Sequence, residues 1–337
     1  MTKRFLITGA TGFLGRHLLN TLPADVEKWV LVRDARSFHA LSFTQKLKKV
    51  RVIEGELFGF KVDEQWPARF DGIFHCAALV DHARERRDEV FKINVEGTLA
   101  LVRLAAEMQS RVVFVSSSGT VGCFRQSNEW ADEQSDYANA AVGDWPYYRS
   151  KQQAEQQASE LASALGVSLV IMRPPVLLGP GDHRYRSTGH ILRLAQGRLP
   201  FVLAGGMNFT DVRDVAQALW VAMKHPNPQK IYHLPGNESS LSQFFDRCIA
   251  LGIEQKSPQE VPFAVAKGMA GLCKALGPVT LGKSASWFPD PVVVEMASRH
   301  WGIKSRYAAT DLKYQPRSGT ETLRDTLDWM TENPPHK

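Results

Sequence analysis

The sequence predicts an α/β protein built on a doubly wound parallel sheet, followed by a smaller, mainly helical substrate-binding region. Three observations predict it. A short apolar run, Phe5-Leu6-Ile7, breaks at Gly9, Gly12 and Gly15 and continues as a helix-like run of Phe13, Leu14, His17, Leu18 and Leu19. Further short apolar runs alternate with helical stretches, the pattern of parallel strands joined by crossover helices. Two of those runs end in small or hydroxyl residues, at the sheet edge where α/β proteins bind ligands. Strand, glycine turn and helix together make the phosphate-cradling unit of a Rossmann sheet. Gly9 permits the sharp turn, Gly12 lets backbone approach a pyrophosphate, and Gly15 lets helix pack close on strand. The helix N-terminus adds free N–H groups and the positive end of its dipole.

The totals bound the reading. A chain of 337 residues accommodates one large α/β domain and a smaller second one. Its 44% hydrophobic and 23% charged residues are ordinary for a globular protein. The net charge of +6 is spread along the chain. Its densest cluster, Arg84, Arg86 and Arg87, is offset by Glu85, Asp88 and Glu89, which argues against a nucleic-acid partner. Cys76, Cys123, Cys248 and Cys273 show neither metal-ligand spacing nor a disulfide framework. No uncharged apolar stretch reaches the roughly 20 residues that span a bilayer. The first strand starts at once and leaves no room for a signal peptide. The expectation is a cytoplasmic protein without a metal or an integral membrane segment, acting on a small molecule.

The second strand, 28–33, ends 18 residues after Gly15. There a carboxylate would hold the adenosine ribose of NAD; this chain has Arg33, then Asp34 and Arg36. A guanidinium pairs with a 2′-phosphate through forked, charge-assisted bonds, which favours NADP. Asp34 is an awkward neighbour for a phosphate and keeps NAD as the alternative. The third strand, 50–55, runs into Glu56 and Leu57, and the fourth, 72–78, ends in Ala77 and Ala78, small enough for a flat cofactor to lie against backbone. A helix over roughly 87–109 carries Asn94, Gly97 and Thr98. Asparagine inside a helix is disfavoured unless it has a task, such as bonding a backbone group at a kink or holding a water. The fifth strand, 111–115, delivers Ser116, Ser117 and Ser118 to the cofactor edge. Residues 123–144 show no period and read as a loop.

Pro146 suits the first turn of the next helix, which carries Tyr147 and Lys151 four residues apart, on one face. A phenol titrates near 10 and is a poor acid or base at neutral pH. A neighbouring ammonium favours the phenolate and lowers that value. A phenol so tuned exchanges a proton with a carbonyl or carbinol oxygen while hydride moves to or from a nicotinamide, and a serine hydroxyl holds the same oxygen.

In this order the segments Thr8-Gly-Ala-Thr-Gly-Phe-Leu-Gly15, Asn94-Val-Glu-Gly-Thr98, the serine run, Tyr147-Tyr-Arg-Ser-Lys151 and Arg173-Pro-Pro-Val-Leu-Leu-Gly-Pro180 resemble the extended short-chain dehydrogenase/reductases. That superfamily includes NAD-dependent epimerases and dehydratases. The branch most similar is that of dihydroflavonol reductases and 3β-hydroxysteroid dehydrogenases. The resemblance implies that Tyr147 is the proton donor or acceptor, Lys151 its modulator and a ribose ligand, and Asn94 a relay or structural residue. Ser118 would polarise the substrate oxygen, with Ser117 as the other register. Gly9, Thr11, Gly12, Phe13, Leu14 and Gly15 would hold the pyrophosphate and Arg33 the adenosine ribose. Glu56 and Leu57 would flank adenine; Ala77, Ala78, Leu79, Ser116 and Ser117 would line the sheet edge; Pro174 and Val176 would line the nicotinamide. A homodimer through the helices near 87–109 and 147–165 is implied as well. Nucleotide-sugar members tend to carry an arginine where this chain has Met207 and Asn208, a departure that argues against a nucleotide-diphosphate substrate. Asp211 and Asp214 also read as caps of the helix that starts there.

The expected division is a dinucleotide-binding domain of 1–178 with about 207–235, and a substrate domain of about 179–206 with 236–337. Residues 179–187, with Arg184, Tyr185 and Arg186, read as a substrate lid, an anion clamp or a solvated loop. Helices around 189–197 and 211–224, a short strand at 199–203, a last parallel strand at 230–234 and a closing helix at 319–330 follow. Val265, Met269, Leu272 and Leu276 recur at helix spacing with Lys267 and Lys274 on another face. That stripe predicts burial in the core, with contact to a membrane surface or a greasy substrate as the alternative. The activity expected is ketone–alcohol interconversion on a small or lipidic substrate with NADP. Its alternatives are a redox-neutral sugar epimerase or dehydratase and a non-catalytic NADP-binding regulator.

Overall fold

Strand β1 (Arg4–Thr8) is an interior strand of a seven-stranded parallel sheet, and its apolar residues, Phe5, Leu6 and Ile7, are buried on both faces. The computed structural model of the chain describes residues 2–280 and 290–335, with backbone only for 272–280. After β1 come α1 (Phe13–Thr21), β2 (Glu27–Val32), α2 (Ala35–His39), β3 (Val50–Glu54) and β4 (Gly72–His75). Then follow α3 (Arg87–Phe91), a π turn (Lys92–Glu96), α4 (Gly97–Glu107), β5 (Arg111–Val115), α5 (Asn139–Val142), α6 (Pro146–Leu165) and β6 (Leu169–Arg173). The rest comprises β7 (Val176–Leu178), α7 (Gly189–Ala195), β8 (Phe201–Val202), β9 (Gly206–Asp211), α8 (Val212–Lys224), β10 (Ile231–His233), β11 (Asn237–Ser240), α9 (Leu241–Ala250), β12 (Gln259–Glu260), α10 (Phe263–Thr280), α11 (Pro291–Ala297), α12 (Ala308–Asp311) and α13 (Gly319–Glu332).

The sheet order is β10-β6-β5-β4-β1-β2-β3, every pairing parallel. The chain reverses direction across the sheet at β1 and β4, so a crevice opens beyond their C-terminal ends. One face is covered by α1 and α8, which bury Leu14, Leu18, Val215 and Leu219 against Phe5, Ile7 and Val30. The other is covered by α4 and α6, through Leu101, Ala105 and Ala154. A smaller sheet, β11-β9-β7, joins the first to α9 and α13 around Phe209, Phe244 and Leu323.

Four details depart from the sequence reading. The helix expected over 87–109 is broken by the π turn, which inserts an extra residue and re-aims Asn94. β4 stops at His75, so 76–78 leave the sheet as an irregular strand end. The segment 123–144 is a loop held by single bridges, Phe124 to His300 and Ala131 to Ile303, and contains α5. The large apolar side chains of α10 do not face the core. Val265 is 51% and Met269 42% exposed, while Ala270 is buried beside Leu203 and Val294. Packing of α10 against the C-terminal region selects the small residues and turns the large ones outward. Leu272, Leu276 and Lys274 lie outside the residues whose side chains are described. Among the described residues no helix is long and apolar enough to cross a membrane, and no cluster has the make-up of a metal site.

Candidate active site

The site begins where β1 turns. Gly9 has φ +71°, and a Cβ there would lie 2.6 Å from the Ala77 nitrogen. A Cβ on Gly15 would lie 2.1 Å from the Gly9 carbonyl oxygen. Both positions therefore exclude any side chain, and α1 is drawn tight against the turn. Gly12 caps α1 without a side-chain bond, and no acidic residue occupies the first turn, so its N–H groups are presented to an anion.

Behind the turn runs an oriented hydrogen-bond chain. Thr98 Oγ1 donates to the Asn94 carbonyl at 2.6 Å and so accepts from His75 Nε2 at 3.0 Å. His75 Nδ1 is then left to accept from Thr8 Oγ1 at 2.8 Å, which fixes a neutral imidazole. Burial, then the charge of Lys151, pushes His75 down to about 3.

Asn94 has the task its helix position implied. Its Oδ1 accepts from the Leu79 N–H at 2.8 Å, and its Nδ2 donates to the Leu79 carbonyl at 3.0 Å and to Ser150 Oγ at 2.9 Å. Ser150 Oγ donates in turn to the Tyr147 carbonyl at 2.7 Å. One asparagine thus ties the end of β4 to the turn of α6 that carries Tyr147 and Lys151. Ser150, His75 and Thr98 have no individual role in the sequence reading, because only tertiary contacts supply one.

Lys151 is buried, donates to the Val115 carbonyl at 2.8 Å and sits 4.7 Å from the Phe114 ring centre. Burial pushes it down to about 8, against the opposing pull of Glu155 and Cys76. Tyr147 rises above its ordinary range through burial. The lowering expected from Lys151 is not found: burial of the phenol sets the direction of its shift. Ser117 Oγ caps the turn 118–120 by accepting from the Gly119 N–H at 3.3 Å. Ser118 Oγ makes no hydrogen bond among the described residues, and Ser116 Oγ is buried without a partner. His82, unnoticed in the sequence, packs 5.7 Å from the Tyr147 ring with its Nδ1 buried and unpartnered.

A cavity of about 1710 Å³ joins these groups. That exceeds the roughly 300–1,000 Å³ of a pocket for one small ligand, so there is room for two. Every sequence-predicted site residue lines it except Gly15 and Asn94, which act from behind. At one end lie the glycine turn, Arg33 and Glu56–Phe58. Asp34 is there too, but its carboxylate caps α2 through the Arg36 and Ser37 N–H groups. Tyr147, Ser118 and Lys151 are at the middle. The other end is lined by Val202, Leu203, Phe245, Val294, Met296 and Trp301, with Arg193 and Arg198. Met207 and Asn208 line it as well, the latter accepting from the Gly236 N–H at 3.2 Å. Asp211 caps α8 as expected, whereas Asp214 lies within the first turn and pairs with Arg317 instead.

The glycine turn, the free N–H groups and the unpartnered serines fit an adenine dinucleotide laid along the sheet edge. Comparison with known proteins agrees. The profile of the NAD dependent epimerase/dehydratase family matches residues 5–234. A putative dihydroflavonol 4-reductase of Synechocystis is 30% identical over 221 residues, 64% of this chain and 62% of that protein. The dihydroflavonol 4-reductase of Zea mays is 30% identical over 52% of this chain and 53% of its own length. Sterol demethylase protein B of Methylococcus capsulatus is 27% identical over 97% of this chain and 98% of that protein. Among solved structures, the terminal R domain of the myxalamid PKS-NRPS pathway has a TM-score of 0.77 at 20% identity, covering 99% of this chain and 91% of that one. A nucleoside-diphosphate-sugar epimerase from Pseudomonas aeruginosa has a TM-score of 0.74 at 20% identity, covering 99% of both chains. These structures share the fold.

Proposed function

The chain belongs to the NAD dependent epimerase/dehydratase family, and from that premise we propose that it is an NADP-dependent oxidoreductase interconverting a ketone and a secondary alcohol on an apolar, lipidic substrate. The observation that carries this reading is the position of Tyr147, Ser118 and Lys151, between a nucleotide-fitting end and an apolar end of one cavity. The nicotinamide would supply or accept the hydride. Burial keeps the Tyr147 phenol protonated at neutral pH, the form a general acid needs to donate to a developing alkoxide. Ser118 Oγ, without a competing partner, donates to the same oxygen. Ser117 is the weaker candidate because its hydroxyl caps the turn. Lys151 uses one of its N–H groups on Val115 and keeps the others for ribose hydroxyls, and near 8 it can replace a proton lost from the phenol. Arg33 makes no side-chain bond among the described residues and lines the cavity, so its guanidinium would be free to pair with a 2′-phosphate.

A redox-neutral reaction on a nucleotide sugar is the second reading, and Arg193 and Arg198 at the apolar end favour it. The Tyr147→Phe variant tests the first. Turnover of NADPH with ketone substrates should fall by about 10²–10⁴-fold with cofactor binding retained. Full activity in that variant would remove Tyr147 from the mechanism. Arg33→Ala should raise the KM for NADPH far more than that for NADH, and equal effects on both would favour NAD.

A further inference from the structure

We propose that Arg184, on the loop 179–187, and Arg16, in the first turns of α1, form a clamp for the phosphate groups of the bound adenine dinucleotide, closing over the glycine turn from the C-terminal half of the chain. The inference rests on the cofactor reading above and concerns residues outside the glycine motif and the Tyr147–Lys151 helix.

The loop is a built feature, not a solvated excursion. His17 Nε2 donates to the Pro180 carbonyl at 2.8 Å, which seats the loop on α1. Gly181 lies beside His17 and Phe13 at φ +99°, a conformation that favours glycine. Asp182 is buried and gathers the N–H groups of Ser187 at 2.8 Å and Thr188 at 2.9 Å, with the Thr188 hydroxyl at 3.0 Å. Tyr185 is held at φ +49°, a left-handed conformation that a tyrosine rarely adopts. Its ring lies 5.9 Å from Trp329 of α13, and His183 packs on the same indole at 5.0 Å. The loop is therefore fixed between α1 and α13, and residues 181–187 line the same cavity as Gly9–Leu14 and Arg16.

What this framework presents is a pair of like charges. Arg16 is steered by its Nε bond to the Thr11 carbonyl at 3.1 Å and by the Phe43 ring, 4.9 Å from its guanidinium carbon. Neither Arg16 nor Arg184 has an ion-pair partner among the described residues. The carboxylate beside them, Asp182, is engaged by the loop's own N–H groups. After burial, the charge of Arg184 is what depresses Arg16 most. Two guanidinium groups lining one cavity, with Asp182 as the neighbouring carboxylate, carry excess positive charge that an anion between them would offset. The forked donors of arginine suit phosphate, and the N–H groups of α1 face the same space.

The test is binding, measured calorimetrically with three probes: NADP, ADP-ribose, which has the pyrophosphate alone, and 2′-AMP, which has the 2′-phosphate alone. Arg184→Gln should weaken NADP about tenfold without lowering the melting temperature. Arg184→Lys should recover part of the loss. A parallel loss on ADP-ribose places the clamp on the pyrophosphate, and one on 2′-AMP places it on the 2′-phosphate; either supports the proposal. Unchanged affinity for all three probes in both Arg184→Gln and Arg16→Gln overturns the clamp and leaves the cofactor reading standing. Wild-type protein that binds no probe overturns the cofactor reading and the clamp with it.

Discussion

His75 shows how a single buried side chain sets the behaviour of the site. Its ring must stay neutral, because both nitrogens are committed to Thr8 and Thr98. Its value of about 3 in the folded protein lies below the 6.5 of a free imidazole. Between those values the unfolded chain binds a proton that the folded one refuses, so stability is full above about 6.5 and falls as pH falls. At pH 4 this one group costs on the order of 3 kcal/mol. His190, buried and pushed down to about 4, acts in the same direction. Urea unfolding from pH 7 to pH 4 should show a steep acid limb, shallower by roughly one proton in His75→Gln; the same slope in both proteins would contradict the assignment. Tyr147, Lys151 and the serine run were legible in the sequence, since their chemistry follows from residue type and spacing. The upward shift of Tyr147 was not. It depends on how much water the surrounding side chains exclude, and one of them, the His82 ring, arrives from a distant segment.

At the scale of elements, α6 is the part on which the site depends. Pro146 starts it, Gly166 at φ +67° ends it, and one face presents Tyr147 and Lys151 while the next turn buries Glu155. Glu155 holds Arg173 at the end of β6 through three bonds, two from Nε at 3.1 Å and one from Nη2 at 2.5 Å, both side chains almost wholly buried. Removing one partner of such a pair leaves an uncompensated buried charge. Glu155→Leu should therefore cost about 3–5 kcal/mol in unfolding experiments, whereas Glu155→Leu with Arg173→Met should cost far less than the sum of the single changes. Additive losses would show that the pair is not coupled. Asn94→Ala should cost about 2 kcal/mol by leaving the Leu79 backbone groups unpaired, and should lower turnover by displacing α6; wild-type turnover would contradict its positioning role. The parallel strands and the helices at 147–165 and 211–224 were readable from periodicity; the order of the strands comes from the structure. The π turn was not, because one inserted residue barely disturbs a helical pattern. The face of α10 was misread because spacing counts large apolar residues, while close packing chose Ala270.

Over the whole molecule, the reversal of the sheet at β1 and β4 opens the crevice, and the C-terminal elements close its far side. Arg213 bridges Asp211 at 2.7 Å and Asp325 at 2.6 Å, joining α8 to α13, and Arg317 pairs with Asp214 beside them. These links hold α13 behind the loop 179–187, so the two ends of the cavity share one frame. The apolar end predicts that substrate is recognised mainly by burial of hydrocarbon, at roughly 25 cal/mol per Å². The nucleotide end was legible from a dozen residues of sequence; the apolar end was not, since Val202, Phe245, Val294 and Trp301 belong to four separate segments. The most direct test follows the hydride. The protein is incubated with NADPH deuterated at the transferable position and a lipid-rich metabolite extract, and the products are read by mass spectrometry. The expected product is a secondary alcohol that gains one deuterium, absent with Tyr147→Phe. A sugar isomer or dehydrated sugar that accumulates without label would contradict it.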